Sequence, residues 1–179
     1  MKRWASSVIA LSLFGSSPMV LAAQPHVHGA GTLQLVLEGS NLNVELLLPA
    51  MDVVGFEHAP RTAKHQEAVK TAVALLKDSR KALELPAAAQ CAIAPGKVES
   101  ALLETRQDHD HHEHSEEEAH ADFEVAYRFD CRHPESLKSL KVTLFQHFPR
   151  LEKLEVQSVT PIGPKSQQLV PGQDTIQLD

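Results

Sequence analysis

Residues Thr32–Leu48, TLQLVLEGSNLNVELLL, decide the fold because they form two strand-like arms around a turn. Polar and apolar residues alternate on both sides of Gly39-Ser40-Asn41, which is typical turn chemistry. Successive strand side chains point to opposite faces, so each arm has one apolar face. The stretch therefore predicts an antiparallel hairpin with one buried face. The apolar positions are Leu33, Leu35, Leu37, Leu42, Val44, Leu46 and Leu48.

The same period of two recurs in Ala121–Cys131, where aromatic and branched residues occupy every second position. This pattern predicts the strongest strand of the second half. A strand predicted at Lys97–Glu104 would form a wide hairpin with it. Further predicted strands are Cys91–Ile93, Lys141–Phe145, Leu154–Thr160, Gln167–Val170 and Thr175–Leu178.

Residues Thr62–Asp78 follow the helical period instead, with Val69, Ala72, Val73 and Leu76 on one stripe and Thr62 as N-cap. A shorter helical turn is predicted at Arg80–Leu85. Together the elements predict an α+β domain: a mainly antiparallel sheet, one long helix packed on a face, and a loop rich in His and acidic residues between two strands.

Residues 1–23 have the three parts of a secretory signal peptide. Lys2 and Arg3 precede an apolar run at Val8–Leu13, and cleavage is predicted after Ala22 or Ala23. The alternative is a membrane anchor, for which the apolar run is too short. We expect a single exported domain at 24–179, of about 156 residues and without a membrane span.

Two cysteines, Cys91 and Cys131, remain in the exported chain. An even pair in an oxidising compartment predicts one disulfide. The alternative, a pair of metal thiolates, lacks a Cys-x-x-Cys or His-x-Cys spacing.

The segment Asp108–His120 contains five of the eleven histidines, six acidic residues and no large apolar residue. Such a composition cannot offset the entropy of ordering, so 108–118 is predicted to be a flexible, disordered loop. Imidazoles and carboxylates suit divalent metals, zinc above all, so we expect His109, His111, His112 and His114 to bind metal. One alternative is an acidic solubilising loop. A purification tag is less plausible, because the tract is internal and interrupted by acids.

The formal net charge is −6, and removal of Lys2 and Arg3 leaves −8. Six of the acidic residues lie in Asp108–Glu118, so the rest of the exported chain is almost balanced. This distribution disfavours nucleic acid as a partner and favours a divalent cation.

Other candidate ligands lie outside the tract. An extended His26-Val27-His28 places both imidazoles on one side, unless this segment is only a frayed terminus. The irregular loop 52–60 contains Glu57 and His58, but its alternative role is a connector anchored by Phe56. His65 lies on the apolar stripe of the helix and is interpreted as a packing residue.

Four motifs resemble those of ZrgA-type proteins, in the same order along nearly the whole exported chain. They are His26-Val27-His28-Gly29, Gly55-Phe56-Glu57-His58-Ala59-Pro60, the strand from His120 through Tyr127 to Cys131, and Leu144-Phe145 with Phe148-Pro149. The resemblance implies a periplasmic zinc-binding accessory of a high-affinity import system, with the membrane components of that system as partners. It does not by itself identify the ligands.

The residues and the resemblance together predict a non-enzymatic protein that captures Zn²⁺ through the tract and through a folded core site. Our hypothesis for the core ligands is His28, His58, His120 and Asp122, with His26 and Glu57 as alternates, because four N/O ligands satisfy tetrahedral zinc. The alternatives are a copper or nickel chaperone, a metal-resistance buffer, and a zinc-dependent hydrolase, which would need an open coordination position for water.

Overall fold

The predicted hairpin is confirmed in the computed structural model, which describes residues 27–103 and 121–179. Strand β1 (Ala30–Glu38) pairs antiparallel with β2 (Asn41–Pro49), with Leu35 opposite Val44. The leucines of the apolar faces are buried, whereas the alternate residues are largely exposed. This one-sided burial is typical of an antiparallel sheet whose other face is in solvent.

The predicted second-half strand is also confirmed, as β6 (Asp122–Cys131). It lies antiparallel to β2, and its opposite edge pairs with two short strands that follow each other in the chain. These are β4 (Cys91–Ile93), opposite the end of β6, and β5 (Lys97–Glu99), opposite its middle. The antiparallel pairing of β5 with β6 confirms that the two strands predicted on either side of the tract are partners.

A disulfide joins Cys91 to Cys131, which face each other across β4 and β6. The predicted bond is therefore confirmed. It closes a loop of 40 residues in sequence, and this cross-link restricts the unfolded chain.

The remaining strands of the large sheet are β8 (Lys153–Thr160) and β9 (Gly163–Leu169). Strand β8 is parallel to β1, whereas β8 and β9 are antiparallel. The sheet is thus mostly antiparallel, as predicted, but contains one parallel pair. A period of two shows which side chains share a face and carries no information on strand direction.

A second, smaller sheet was not predicted. It consists of β3 (Leu83–Glu84), β7 (Ser139–Val142) and β10 (Thr175–Gln177), with β7 in the centre. Its buried side chains join the same core as those of the large sheet. Two-residue and four-residue strands are too short to give a period that can be read from sequence.

The predicted long helix is confirmed as α2 (Ala63–Lys77). Two short helices, α1 (Ala50–Val53) and α3 (Leu144–His147), precede and follow it in the chain. Thr62 caps α2, because its side chain accepts the N–H of His65. The end of α2 is fixed to the inner face of β6, since the Tyr127 hydroxyl donates to the Leu76 carbonyl at 2.6 Å. The helix therefore packs on a sheet face, as expected.

Several predicted boundaries were wrong. The strand predicted at Lys97–Glu104 ends at Glu99 and gives way to a 3-10 turn, and the helical turn predicted at Arg80–Leu85 is a 3-10 turn at Ser79–Lys81 followed by β3. The strand predicted at Lys141–Phe145 lies earlier, and α3 occupies its second half. Tertiary pairing overrides local propensity in such short segments.

Residues 1–26 and 104–120 lie outside the described part, and with them the predicted signal peptide, His26, His120 and the tract histidines. Within the described part, none of the helices has the length and apolar character needed to cross a membrane.

Candidate metal centre

Four strand ends meet at one end of the large sheet. The start of β1 lies beside the end of β2, because these two strands are antiparallel. It also lies beside the start of β8, because β1 and β8 are parallel. The end of β2 and the start of β6 lie here too, with Pro49 opposite Asp122. The segment before β1, the loop after β2 and the segment before β8 are consequently neighbours. Segments distant in sequence can therefore form one site.

His28 and Glu57 are in direct contact at this end of the sheet. The His28 Nε2 atom lies 3.0 Å from Glu57 Oε1, with 53% of the His28 side chain and 19% of the Glu57 side chain exposed. Glu57 follows the buried Phe56, which anchors the loop. An imidazole and a carboxylate that are both accessible to solvent can bind a divalent cation.

A buried carboxylate lies beneath this pair. Both oxygens of Asp52 accept the N–H of Gly29, at 2.9 and 2.8 Å, and the residue is only 2% exposed. Burial raises the pKa of the Asp52 carboxyl, while the Gly29 N–H and the nearby His28 lower it and Glu152 and Glu57 raise it. Because Asp52 binds the N–H of the residue after His28, it holds the segment that carries His28 in place.

Glu152 reaches the same place from the start of β8. The N–H groups of Glu152 and Lys153 donate to the Gly29 carbonyl at 2.8 and 2.9 Å. A Cβ atom on Gly29 would lie 3.2 Å from the Glu152 side chain, and the φ of Gly29 is +82°. Glycine is required here by both the backbone conformation and the close approach. Glu152 and Asp52 were not among the ligands predicted from the sequence, because an isolated acidic residue carries no signal of its position.

His58 lies against the rings of Phe56 and His65. Its ring stacks on Phe56 with centroids 5.1 Å apart, and its Nδ1 donates to the Ala59 carbonyl at 3.1 Å. The ring of His65 also stacks on Phe56, at 4.4 Å. The packing role predicted for His65 agrees with this contact.

Asp122 is the first residue of β6 and is partly buried. Just before it, the Ala121 carbonyl accepts the N–H of Ala50 at 2.8 Å, which ties this strand end to the start of α1. Asp122 borders a surface cleft of about 530 Å³ together with Glu99 and Glu124. Asp122 therefore lies at the same end of the sheet as His28, in an acidic setting.

A complete metal site is not present within residues 27–103 and 121–179, where no three His, Cys, Asp or Glu side chains form a group that could hold an ion. Two of the six predicted core ligands, His26 and His120, fall outside these residues. The other four, His28, Glu57, His58 and Asp122, lie within them.

Comparison with protein families gives a match over most of the chain. A family model described as ZrgA family zinc uptake protein matches residues 25–178. A search of curated proteins finds no match. The family match covers the sheets, the helices and every residue of the candidate centre.

Proposed function

This chain belongs to the ZrgA family of zinc uptake proteins, and we propose that it is a periplasmic zinc-binding accessory of a high-affinity uptake system. In this proposal zinc is cargo that the protein captures and passes on, and the protein is not an enzyme. The membrane components of the import system are the proposed partners. The predicted signal peptide and the Cys91–Cys131 disulfide support an oxidising, extracytoplasmic location.

The contact between His28 and Glu57 is the observation that carries the proposal. The His28 Nε2 and Glu57 Oε1 atoms are 3.0 Å apart. Two ligand atoms on a tetrahedral zinc ion, with bonds of about 2.0–2.1 Å, are separated by roughly 3.3 Å. A zinc ion can thus replace the proton that the pair shares after a small movement of two solvent-accessible side chains. This favours Glu57, which sequence analysis ranked as an alternate, as a ligand beside His28.

The charges around the pair support cation binding. Glu57 and Glu152 both act electrostatically on Asp52, which in turn lies next to His28. Negative charge that is partly withdrawn from water attracts a divalent ion more strongly than the same charge in solvent. The pair therefore lies in a favourable potential for Zn²⁺.

The rest of the proposed core site comes from His58, His120 and Asp122, with His26 as an alternate. Asp122 starts the strand that His120 precedes in the sequence. Ala121, between them, accepts a hydrogen bond from the first residue of α1, the short helix before Glu57 and His58. Ligands contributed by a folded scaffold avoid part of the ordering entropy on binding. A core site of this kind would hold zinc more tightly than the tract.

The tract is the proposed low-affinity part of the protein. His109, His111, His112 and His114 alternate with carboxylates over a few residues, which provides several overlapping sets of ligands. We propose that the tract collects zinc quickly and that the core site retains it.

Competition titration of the exported chain against a chromophoric zinc chelator tests the proposal. We expect one tight equivalent in the wild-type protein, with His28→Ala and Glu57→Gln each weakening it more than tenfold, since changes outside the coordination sphere alone cost 10–100-fold. His133→Ala is the matched control, because His133 Nδ1 lies 3.3 Å from Glu135 Oε1 in another exposed His–Glu pair.

Absence of a tight equivalent in the wild-type protein, or equal loss in His133→Ala, contradicts the core site. An affinity for copper(II) well beyond its intrinsic advantage over zinc, or a higher affinity for nickel(II) than for zinc, would instead point to a chaperone of those metals.

A further inference from the structure

Three aromatic rings form a cluster beside the His28–Glu57 pair. Phe56 is buried, and the rings of His58 and His65 both stack on it. The centroids of the two imidazoles are 5.1 Å apart, and the ring planes are tilted by 51°. His58 comes from the loop after β2 and His65 from the first turn of α2, so the fold holds two histidines of different elements together.

His65 has a buried nitrogen that packing does not explain. Its Nδ1 atom is inaccessible to solvent and has no hydrogen-bond partner among the described residues. A buried polar atom without a hydrogen-bond partner destabilises the fold, because it has lost its contact with water. Stacking on Phe56 accounts for the position of the ring but gives this nitrogen nothing to bind. A metal ion would supply the missing partner.

The hydrogen bond of His58 determines which of its ring nitrogens carries the proton. The Ala59 carbonyl can only accept, so the His58 Nδ1 at 3.1 Å must donate. In a neutral imidazole the proton on Nδ1 leaves the lone pair on Nε2 available. A bond from one ring nitrogen to a backbone carbonyl is the usual arrangement of a histidine that binds metal through the other. The His58 side chain is exposed, so its ring can turn toward an incoming ion.

The spacing of the two rings suits a shared ion. Two imidazoles bound to one tetrahedral zinc, with Zn–N bonds of about 2.0–2.1 Å, have their centroids roughly 5 Å apart. His58 and His65 already have this separation. Binding then requires the exposed His58 ring to turn until its Nε2 and the His65 Nδ1 face one ion.

We infer that His65 is a zinc ligand, which binds through Nδ1 and shares the ion with Nε2 of His58. The inference rests on the proposed function and extends it, because it adds a histidine interpreted from the sequence as packing only. Phe56 is then the platform that fixes the separation of the two rings. Glu57, the neighbour of His58 in the chain, is the residue that contacts His28.

The variant His65→Phe tests the inference, because it keeps an aromatic ring on Phe56 and removes the nitrogen. In the competition titration of the exported chain with zinc alone, we expect a loss of more than tenfold in the affinity of the tight equivalent. His147→Phe is the control, since it makes the same replacement at an exposed histidine of α3, and its affinity should match the wild type.

A second measurement needs no variant. Long-range proton–nitrogen NMR spectra of the ¹⁵N-labelled wild-type chain distinguish protonated, free and metal-bound ring nitrogens. With one equivalent of zinc, we expect His65 Nδ1 and His58 Nε2 to become metal-bound together.

Unchanged His65 nitrogen signals with one equivalent of zinc overturn the inference. So does a tight equivalent that is kept in His65→Phe but lost in His28→Ala, and in that case the proposed core site survives without His65. Absence of any tight equivalent from the wild-type chain overturns both.

Discussion

The N–H of Gly29 is bound by both oxygens of the buried Asp52 carboxylate, at 2.9 and 2.8 Å. This contact ties the segment before β1 to the short helix after β2. It also places a buried negative charge one residue from His28, whose own partner is Glu57 at 3.0 Å. Asp52 thereby connects the stability of the fold with the position of a proposed ligand.

Asp52→Asn should change how stability depends on pH. Burial raises the pKa of this carboxyl, so the folded state binds its proton more tightly than the unfolded chain does. The stabilisation from this group is then complete below the unfolded pKa of about 3.9 and is lost as pH rises through the higher folded pKa. The amide does not titrate, so the free energy of unfolding of the variant relative to wild type should increase from pH ~3 to pH ~7.

Urea denaturation of both proteins at several pH values measures this relative stability. Subtracting one protein from the other cancels the titration of all shared groups. A difference that stays constant over this pH range would contradict the raised pKa.

Gly29→Ala should lower both stability and zinc affinity. Its φ of +82° is strained for alanine, and the new Cβ would lie 3.2 Å from Glu152. We expect a loss of about 1–2 kcal/mol in the free energy of unfolding and weaker zinc binding, because His28 is the adjacent residue.

Gly39→Ala is the matched control. Gly39 also has a positive φ, of +56°, but a Cβ atom added to it would meet no atom of the described residues within 4 Å. Thermal unfolding and zinc titration of both variants should show a stability loss at each position and an affinity loss only at Gly29. Equal zinc affinities in the two variants would exclude a role of this backbone contact in binding.

Deletion of Asp108–Glu118, which joins Gln107 directly to Ala119, should separate the two proposed kinds of site. The tract contains no large apolar residue, so its loss should leave the far-ultraviolet circular dichroism of the domain unchanged. Calorimetric titration with zinc should lose several weak equivalents and retain one tight equivalent. If all binding disappears, the tract alone carries the metal.

The double variant Cys91→Ser/Cys131→Ser should be less stable than wild type. The disulfide closes a loop of 40 residues, and chain entropy gives about 4 kcal/mol for a loop of that length. Denaturation in urea should show this loss, with reduced wild-type protein behaving like the variant. Equal midpoints for oxidised and reduced wild-type protein would mean that the cross-link does not contribute to stability.

Local periodicity was sufficient to predict the main elements. A residue period shows which side chains of an element are buried on the same face. It was clear in Thr32–Leu48, in Ala121–Cys131 and in the stripe from Val69 to Leu76. The disulfide between Cys91 and Cys131 was predicted from expected export and an even number of cysteines. Composition alone identified the tract, because no packing partner is needed to recognise a segment rich in His and acidic residues.

The arrangement of the candidate centre depends on tertiary structure. Nothing in the sequence near Lys153 shows that β8 runs parallel to β1, yet this pairing is what brings Glu152 to Gly29. The contact of Asp52 with Gly29 and the approach of His65 to His58 likewise join residues of separate elements. A residue period describes one element in isolation, whereas the meeting of strand ends is set by the order and direction of long-range pairing, which results from the burial of the whole core.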